Sequence, residues 1–273
     1  MNSVYDPKTD FRLATLNIWQ KFGPWEERMP RLVEGLRDLA ADVVGLQEVR
    51  VDPESDQGAL LATSANYNYV FGAGYDDAHG VTGNAILSRF PVSRSHTERL
   101  PAGDRPQGRC LVFAALETPL GRLPFFTTHL NWELDDGGSR EAQIRAITEL
   151  VPELSKGCDL PAVLTGDFNA DPDSDEMRYL RGQTGVLGPR VYYADSWIYG
   201  GDGSFGATYS KTNPFGAVFR EPERRIDYIY VREPAQTRGE PIHARVCMNE
   251  AIRGMYPTDH YGLLAAVRMS YGS

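Results

Sequence analysis

Cysteine is scarce in this chain of 273 residues, which holds only Cys110, Cys158 and Cys247. Odd in number and far apart, they signal neither a disulfide framework nor a zinc–cysteine site, and buried thiols are the expected reading. No apolar run reaches the length needed to cross a bilayer as a helix. The N-terminus, Met1-Asn2-Ser3-Val4-Tyr5-Asp6-Pro7, lacks the basic-then-apolar layout of a secretory leader. A cytoplasmic protein is the expectation, with export after removal of a leader left open. Low-complexity linkers, internal repeats and abrupt shifts of composition are also missing, so residues 1–273 read as one domain. An excess of positive charge is missing as well, because the formal net charge is −9. An acidic surface repels phosphate backbones at long range and counts against a protein that tracks along duplex DNA.

What is present is an ordinary globular composition, 41% hydrophobic and 24% charged, in a chain long enough to bury a sizeable core. Short apolar runs rich in β-formers recur at 12–18, 42–46, 69–72, 84–88, 110–117, 123–130, 162–165, 226–231, 242–247 and 262–269. Bounded by Gly, Pro, Asp or Asn, most read as strands. Two stretches read as helices. Leu32, Leu36 and Leu39 share one face, with Pro30 near the expected start. Ile144, Ile147, Leu150 and Val151 make a second stripe after the polar turn 135–139, and Pro152 is expected to kink or end it. A third, short helix is expected over 173–180. Several strands are apolar on both faces, as in sheets covered on both sides. The fold class that follows is α/β, a four-layered α/β sandwich with two packed mixed β-sheets and helices outside.

The chemistry lies where the apolar runs end. The run from Arg12 ends at Asn17, that from Val43 at Glu48, that from Pro124 at His129, and that from Ala162 at Asp167, with Asn169 two residues on. Asp227 lies inside the run from Ile226 to Val231, and Asp259-His260 stands just before the last strand. Each alone has a structural reading: a turn for Asn17 or Asp167-Phe168-Asn169, an ion pair with Arg50 or another arginine for Glu48, a core histidine for His129, a capping pair for Asp259-His260. Together they point to strand ends converging on one polar cluster, because a carboxylate at the edge of a core is costly unless paired or bound to a metal. Hard oxygen ligands such as Glu48, Asn17 and Asp259 suit Mg²⁺ or Mn²⁺. Phosphoryl transfer needs neutralised non-bridging oxygens and an oriented water, and a histidine paired with a buried aspartate supplies an imidazole in a fixed tautomer.

The ordered set Leu16-Asn17-Ile18-Trp19, Leu46-Gln47-Glu48-Val49, Gly83-Asn84 through Phe90-Pro91, Thr128-His129-Leu130, Gly166-Asp167-Phe168-Asn169, Arg225-Ile226-Asp227-Tyr228-Ile229 and Thr258-Asp259-His260 resembles the endonuclease/exonuclease/phosphatase superfamily. That group includes deoxyribonucleases, abasic-site endonucleases, neutral sphingomyelinases, inositol-polyphosphate 5-phosphatases and deadenylases. The resemblance runs from about Phe11 to Val267 and is specific for the superfamily rather than for a subfamily. It implies that Glu48 is the principal metal ligand, assisted by Asn17 and Asp259. It implies that Asp167 orients or deprotonates the attacking water and that Asn169 holds a phosphate oxygen. Asp227 and His260 resemble the Asp–His dyad, with the histidine as general base or transition-state stabiliser. His129 matches a histidine that contacts phosphate or protonates the leaving oxygen, and Arg109 is a further phosphate contact or else a surface arginine. Trp19 stands where some nucleases carry a second acidic ligand, which puts a second metal in doubt.

The expected function is hydrolysis of a P–O bond in a small or lipid phosphodiester or phosphomonoester, with Mg²⁺ as cofactor and Mn²⁺ as an alternative. A nuclease is the runner-up, and nucleic acid is a possible but not favoured partner. It needs a basic rim, for which Arg89, Arg105, Arg109, Arg224, Arg225 and Arg253 are available. A silent phosphate-binding module is the third reading, and the full set of acidic and histidine residues argues against it. Residues 199–225, with Phe205, Tyr209, Phe215 and Phe219, are expected to form a loop beside the site that shapes substrate choice or simply packs. Oligomeric state is not legible.

Overall fold

The computed structural model describes residues 5–103, 107–234 and 238–270. One sheet holds β1 (Asp10–Asn17), β2 (Val43–Val51), β3 (Asn68–Asp77), β4 (Gly80–Ser88), β11 (Glu240–Cys247) and β12 (Gly262–Arg268), in the order β11-β12-β1-β2-β4-β3. The other holds β5 (Val92–Arg99), β6 (Cys110–Thr118), β7 (Gly121–His129), β8 (Val163–Asp167), β9 (Tyr193–Asp195) and β10 (Asp227–Arg232), in the order β5-β6-β7-β8-β10-β9. Both are mixed. β1 runs parallel to β2 and β7 parallel to β8, while the remaining pairs are antiparallel. The helices are α1 (Trp25–Leu39), α2 (Gln57–Ala65), α3 (Gly137–Leu154), α4 (Asp175–Leu180) and α5 (Ser196–Gly200).

Three apolar layers hold these elements together. Phe11, Leu13, Val43 and Ile86 of the first sheet meet Val112, Phe125, Val163 and Ile229 of the second between the sheets. The outer face of the second sheet packs Phe113, Phe126 and Leu164 against Ile144, Ile147 and Val151 of α3 and Met177 of α4. The outer face of the first packs Ala14, Val44 and Leu46 against Leu32 and Leu36 of α1 and Leu61 of α2. Central strands covered on both faces explain the continuous apolar runs, and the result is the expected four-layered sandwich.

The element boundaries differ from expectation in instructive ways. Pro30 lies inside α1, which starts at Trp25. Glu26 and Glu27 occupy the first turn, where acidic side chains suit the positive end of the helix dipole. Pro152 lies in the last turn of α3 and the helix runs past it to Leu154. β5 and β9 are additional strands: β5 is a polar edge strand, and β9 has only three residues. α2 begins at Asp56, whose side chain accepts a hydrogen bond from the Ala59 amide at 2.9 Å. Cys110 and Cys247 are buried free thiols, as expected, and Cys158 is half-buried. Among the described residues no helix is long and apolar enough to cross a membrane.

Candidate active site

Register brings the polar strand ends together. His129, the last residue of β7, lies across from Asp167, the last residue of β8, and Asp167 lies across from Asp227, the first residue of β10. In the facing sheet Asn17 ends β1 opposite Gln47 of β2, and the β2–β4 pairing slips between Leu46 and Val49. This bulge re-aims Glu48, whose φ is +56°. Trp19, Gln20 and Asn169 also have positive φ, at 57°, 42° and 50°. Such conformations are strained for non-glycine residues and persist where the surroundings over-determine them. Gly166 is demanded by packing: its φ is +154°, and a Cβ there would lie 2.2 Å from the Thr128 carbonyl oxygen. A buried hydrogen-bonded layer underlies the site, with Gln47 donating to Thr127 Oγ1 at 2.8 Å across the sheets.

The side chains form one network. Asn17 Nδ2 donates to Glu48 Oε1 at 3.1 Å and to Asp167 Oδ2 at 3.0 Å, while Asn17 Oδ1 accepts from the Trp19 amide at 2.9 Å. Asp167 Oδ1 accepts from the Asn169 amide at 3.0 Å. His260 Nδ1 lies 3.0 Å from Asp227 Oδ2, and its Nε2 lies 3.6 Å from Asp167 Oδ2. Burial alone would lower the His260 imidazole, but the Asp227 and Asp167 carboxylates outweigh it and hold it well above its ordinary value. Burial, helped by the charges of Arg109 and His260, holds His129 well below its ordinary value. The 3.5 Å approach of His129 Nε2 to Asp167 is therefore not an ion pair, and the neutral ring accepts from Asn169 Nδ2 at 3.0 Å. Asp167 is pushed up by burial and by Asp227. Asp259 is pushed up to about 7 by burial and the charge of Glu48.

A cavity of about 730 Å³ opens over this network. Glu48, Arg109, His129, Asp167, Asn169, Asp259 and His260 line it, with Asn17 and Asp227 behind the front row. Glu48 does not pair with Arg50, which binds Asp77 at 2.6 Å. Arg109 is not a plain surface arginine: burial lowers its guanidinium against the opposing pull of Glu48 and Asp167, and its Nη2 donates to Gln107 Oε1 at 2.9 Å. Among the described residues the other candidate arginines form no rim. Arg89 stacks on Tyr67, Arg225 is in a buried pair with Asp195 at 2.9 Å, Arg253 meets Glu34, and Arg224 is held by Asp171 and Glu221. Arg105 lies outside the described residues. Of residues 199–225, Tyr209 and Phe219 line the cavity, and Phe215 packs on Trp19 at 5.1 Å between ring centroids.

Two oxygen-rich groupings could hold a cation. One is Glu48 with Asp259, two neighbouring carboxylates whose mutual repulsion shows in the raised Asp259. The other is the buried cluster of Asp167, Asp227 and His260, whose ligand atoms lie within 4.8 Å of one another. Its imidazole is already a cation held by both carboxylates, so it offers less to a metal, although Asp227 Oδ1 is buried without a hydrogen-bond partner. Arg28 had no sequence signal. It is buried in α1 and donates to the carbonyls of Ile18, Trp19, Gln20, Phe22 and Pro257, pinning the loop after β1. Gln20 was also missed, and its Nε2 donates to Glu48 Oε2 at 3.3 Å. Polar side chains that act by holding loops carry no motif of their own.

Comparison with known proteins bears on family and fold. The uncharacterized protein YbhP of Escherichia coli is 27% identical over 172 residues, covering 58% of this chain and 66% of YbhP. Nocturnin of Xenopus laevis is 26% identical over 258 residues, covering 88% of this chain and 64% of Nocturnin. The chain thus spans slightly less than two thirds of the length of these relatives. The catalytic domain of human Nocturnin superposes with a TM-score of 0.72 at 20% identity, over 98% of this chain and 97% of that one. The profile of the Endonuclease/Exonuclease/phosphatase family matches residues 14–260, and the chain belongs to that family.

Proposed function

We propose that the protein is a divalent-metal-dependent hydrolase of a P–O bond in a small or lipid phosphodiester or phosphomonoester. The observation that carries this reading is the meeting of Glu48 and Asp259 with the Asp167–His260–Asp227 chain in one cavity. The donor set fits a hard cation: the half-buried carboxylate of Glu48 beside the buried one of Asp259, which is pushed up to about 7, gains from a divalent ion. Glu48 and Asp259 would hold Mg²⁺, or Mn²⁺ with the same ligands. Asn17 assists as a ligand only by turning its amide, because its oxygen is engaged by the Trp19 amide; in the present arrangement it fixes Glu48 against Asp167. When bound, the metal supplies charge neutralisation on the phosphate and leaving oxygens.

The chain's own residues supply the remainder. Asp167, pushed up by burial and Asp227, is suited to take the proton of the attacking water as the new P–O bond forms. His260 carries its proton on a ring fixed by Asp227, so it stabilises charge growing on the phosphate oxygens rather than starting as a base. Arg109, on the cavity wall, would hold a non-bridging oxygen; Asn169 would do so only by turning its amide, because Nδ2 donates to both His129 Nε2 and the Leu130 carbonyl. Neutral His129 fixes the Asn169 amide, which suits a positioning role better than protonation of the leaving oxygen. Glu48→Gln should raise the Mg²⁺ concentration for half-maximal hydrolysis of bis-p-nitrophenyl phosphate; an unchanged requirement would move the principal ligand elsewhere. The scattered, paired arginines weigh against a nuclease.

A further inference from the structure

The mouth of the cavity is apolar where its floor is polar. Phe22, Trp132 and Phe219 line it yet remain 52%, 57% and 57% exposed. Below them the Trp19 indole is fixed between Phe22, at 6.1 Å, and Phe215, at 5.1 Å. Large apolar side chains gathered at the rim of a reactive site mark contact with a ligand more often than chance exposure does. Charge narrows the ligand further. Among the described lining residues Arg109 is the only Lys or Arg, and the wall also carries Asp76 and Glu221. Among the described lining residues, a second or third phosphate reaching outward from the floor would meet those carboxylates and the rings rather than further cations.

One side chain ties the two halves together. Gln107 Oε1 accepts from Arg109 Nη2 at 2.9 Å and from the Trp132 amide at 3.0 Å. The cation for the phosphate and the apolar rim are thereby held at a fixed offset. The cavity volume of about 730 Å³ also exceeds what a bare phosphate fills and suits a phosphate carrying a substantial organic group.

We propose that the site takes a singly charged phosphodiester whose non-leaving ester group is apolar or aromatic, gripped by Phe22, Trp132 and Phe219. The proposal rests on the hydrolase reading for its chemistry but not for its binding. In the balanced reaction, water adds to phosphorus, the P–O bond to the leaving alcohol breaks, and one water proton ends on that alcohol. The products are the alcohol and a phosphomonoester that keeps the apolar group.

The test uses methyl, phenyl and naphthyl p-nitrophenyl phosphates, which share a leaving group, with Mg²⁺ and with Mn²⁺. kcat/KM should rise about tenfold or more from methyl to naphthyl, mainly through KM. In Trp132→Ala and in Phe219→Ala the naphthyl-to-methyl ratio should fall toward one. Equal kcat/KM across the series, or a preference for p-nitrophenyl phosphate or an inositol polyphosphate, would overturn the proposal and leave the hydrolase reading standing. Calorimetric titration covers the opposite case. Diphenyl phosphate should bind the wild-type protein more tightly than inositol hexakisphosphate does, and Trp132→Ala should weaken it. If that holds while no ester turns over, the hydrolase reading fails and the binding inference survives; tighter binding of the hexakisphosphate overturns the inference. A short-chain phosphatidylcholine below its micelle concentration separates the sources. Release of choline from it ahead of the aryl esters assigns the apolar group to an acyl chain, release of diacylglycerol puts that group on the leaving side and overturns the proposal, and slower cleavage than the aryl esters assigns it to a free aromatic ester.

Discussion

At the scale of single residues the site is an arrangement of opposed charges in a place water barely reaches. Asp167 and Asp227 hold His260 protonated, and removing the ring leaves two buried carboxylates without their cation. His260→Ala should lower kcat by about 10²–10⁴-fold with the circular dichroism spectrum unchanged; near-normal turnover would refute the assigned role. Asp259 gives a pH signature. Its folded value of about 7 lies above the ordinary carboxylate value of 3.8. Between the two, the folded metal-free protein holds a proton that the unfolded chain releases. Stability is therefore lost as pH rises through that window, by up to about 1.4 kcal/mol per unit. His129, held neutral, acts in the opposite sense below its ordinary value of 6.5. A comparison with Asp259→Asn isolates the carboxylate: in EDTA the variant's Tm should gain on wild type from pH 5 to about pH 7 and then level off. A constant gap would contradict the raised value.

At the scale of elements, the strand ends are what the chain specifies most firmly. Gly166 lets β8 pass close to β7 so that Asp167 emerges between His129 and Asp227. Gly166→Ala should cost more than about 2 kcal/mol by denaturant unfolding, since a Cβ meets backbone and the φ is disfavoured; a cost under half that figure would mean the strands relax freely. The same strands were the most legible in the sequence, because burial on both faces writes a continuous apolar run that stops where the site begins. β5 was not legible, since an exposed edge strand of sequence Val-Ser-Arg-Ser-His-Thr-Glu-Arg carries no apolar signal. α2 was missed because Gln57 to Ala65 is short and mixes small and polar residues without a clear stripe. Pro30 suggests a helix start nearby, whereas α1 begins at Trp25 and carries Pro30 inside it. Asn17, Glu48, His129 and Asp167 are visible as polar residues closing apolar runs, Asp227 as a carboxylate inside one, and Asp259-His260 as a pair just before one. Arg28 and Gln20 were not, because their roles depend on loop carbonyls and on a bulge that no local pattern announces.

At the scale of the whole molecule, two sheets each contribute the exit of a parallel strand pair to one shared cavity. The β1–β2 pair brings Asn17 and Glu48, and the β7–β8 pair brings His129 and Asp167. The chain carries a net charge of −9, and among the described residues Arg224, Arg225 and Arg253 are spent on local carboxylates. Phosphate-backbone binding draws on several free cations at once. Non-specific binding of duplex DNA at about 0.15 M salt should therefore be weaker than the roughly 10⁻⁴ M end of the usual range. A salt-sensitive, micromolar affinity would restore the nuclease reading. Metal-dependent hydrolysis of a small or lipid phosphoester is the function proposed for the whole molecule. The most direct measurement is turnover of bis-p-nitrophenyl phosphate, sphingomyelin, an inositol polyphosphate and single- and double-stranded DNA, each with Mg²⁺, Mn²⁺ or EDTA. The small or lipid diesters should turn over, EDTA should abolish that turnover, and DNA should be left intact. DNA cleavage ahead of the small esters, or turnover that persists in EDTA, would contradict that function.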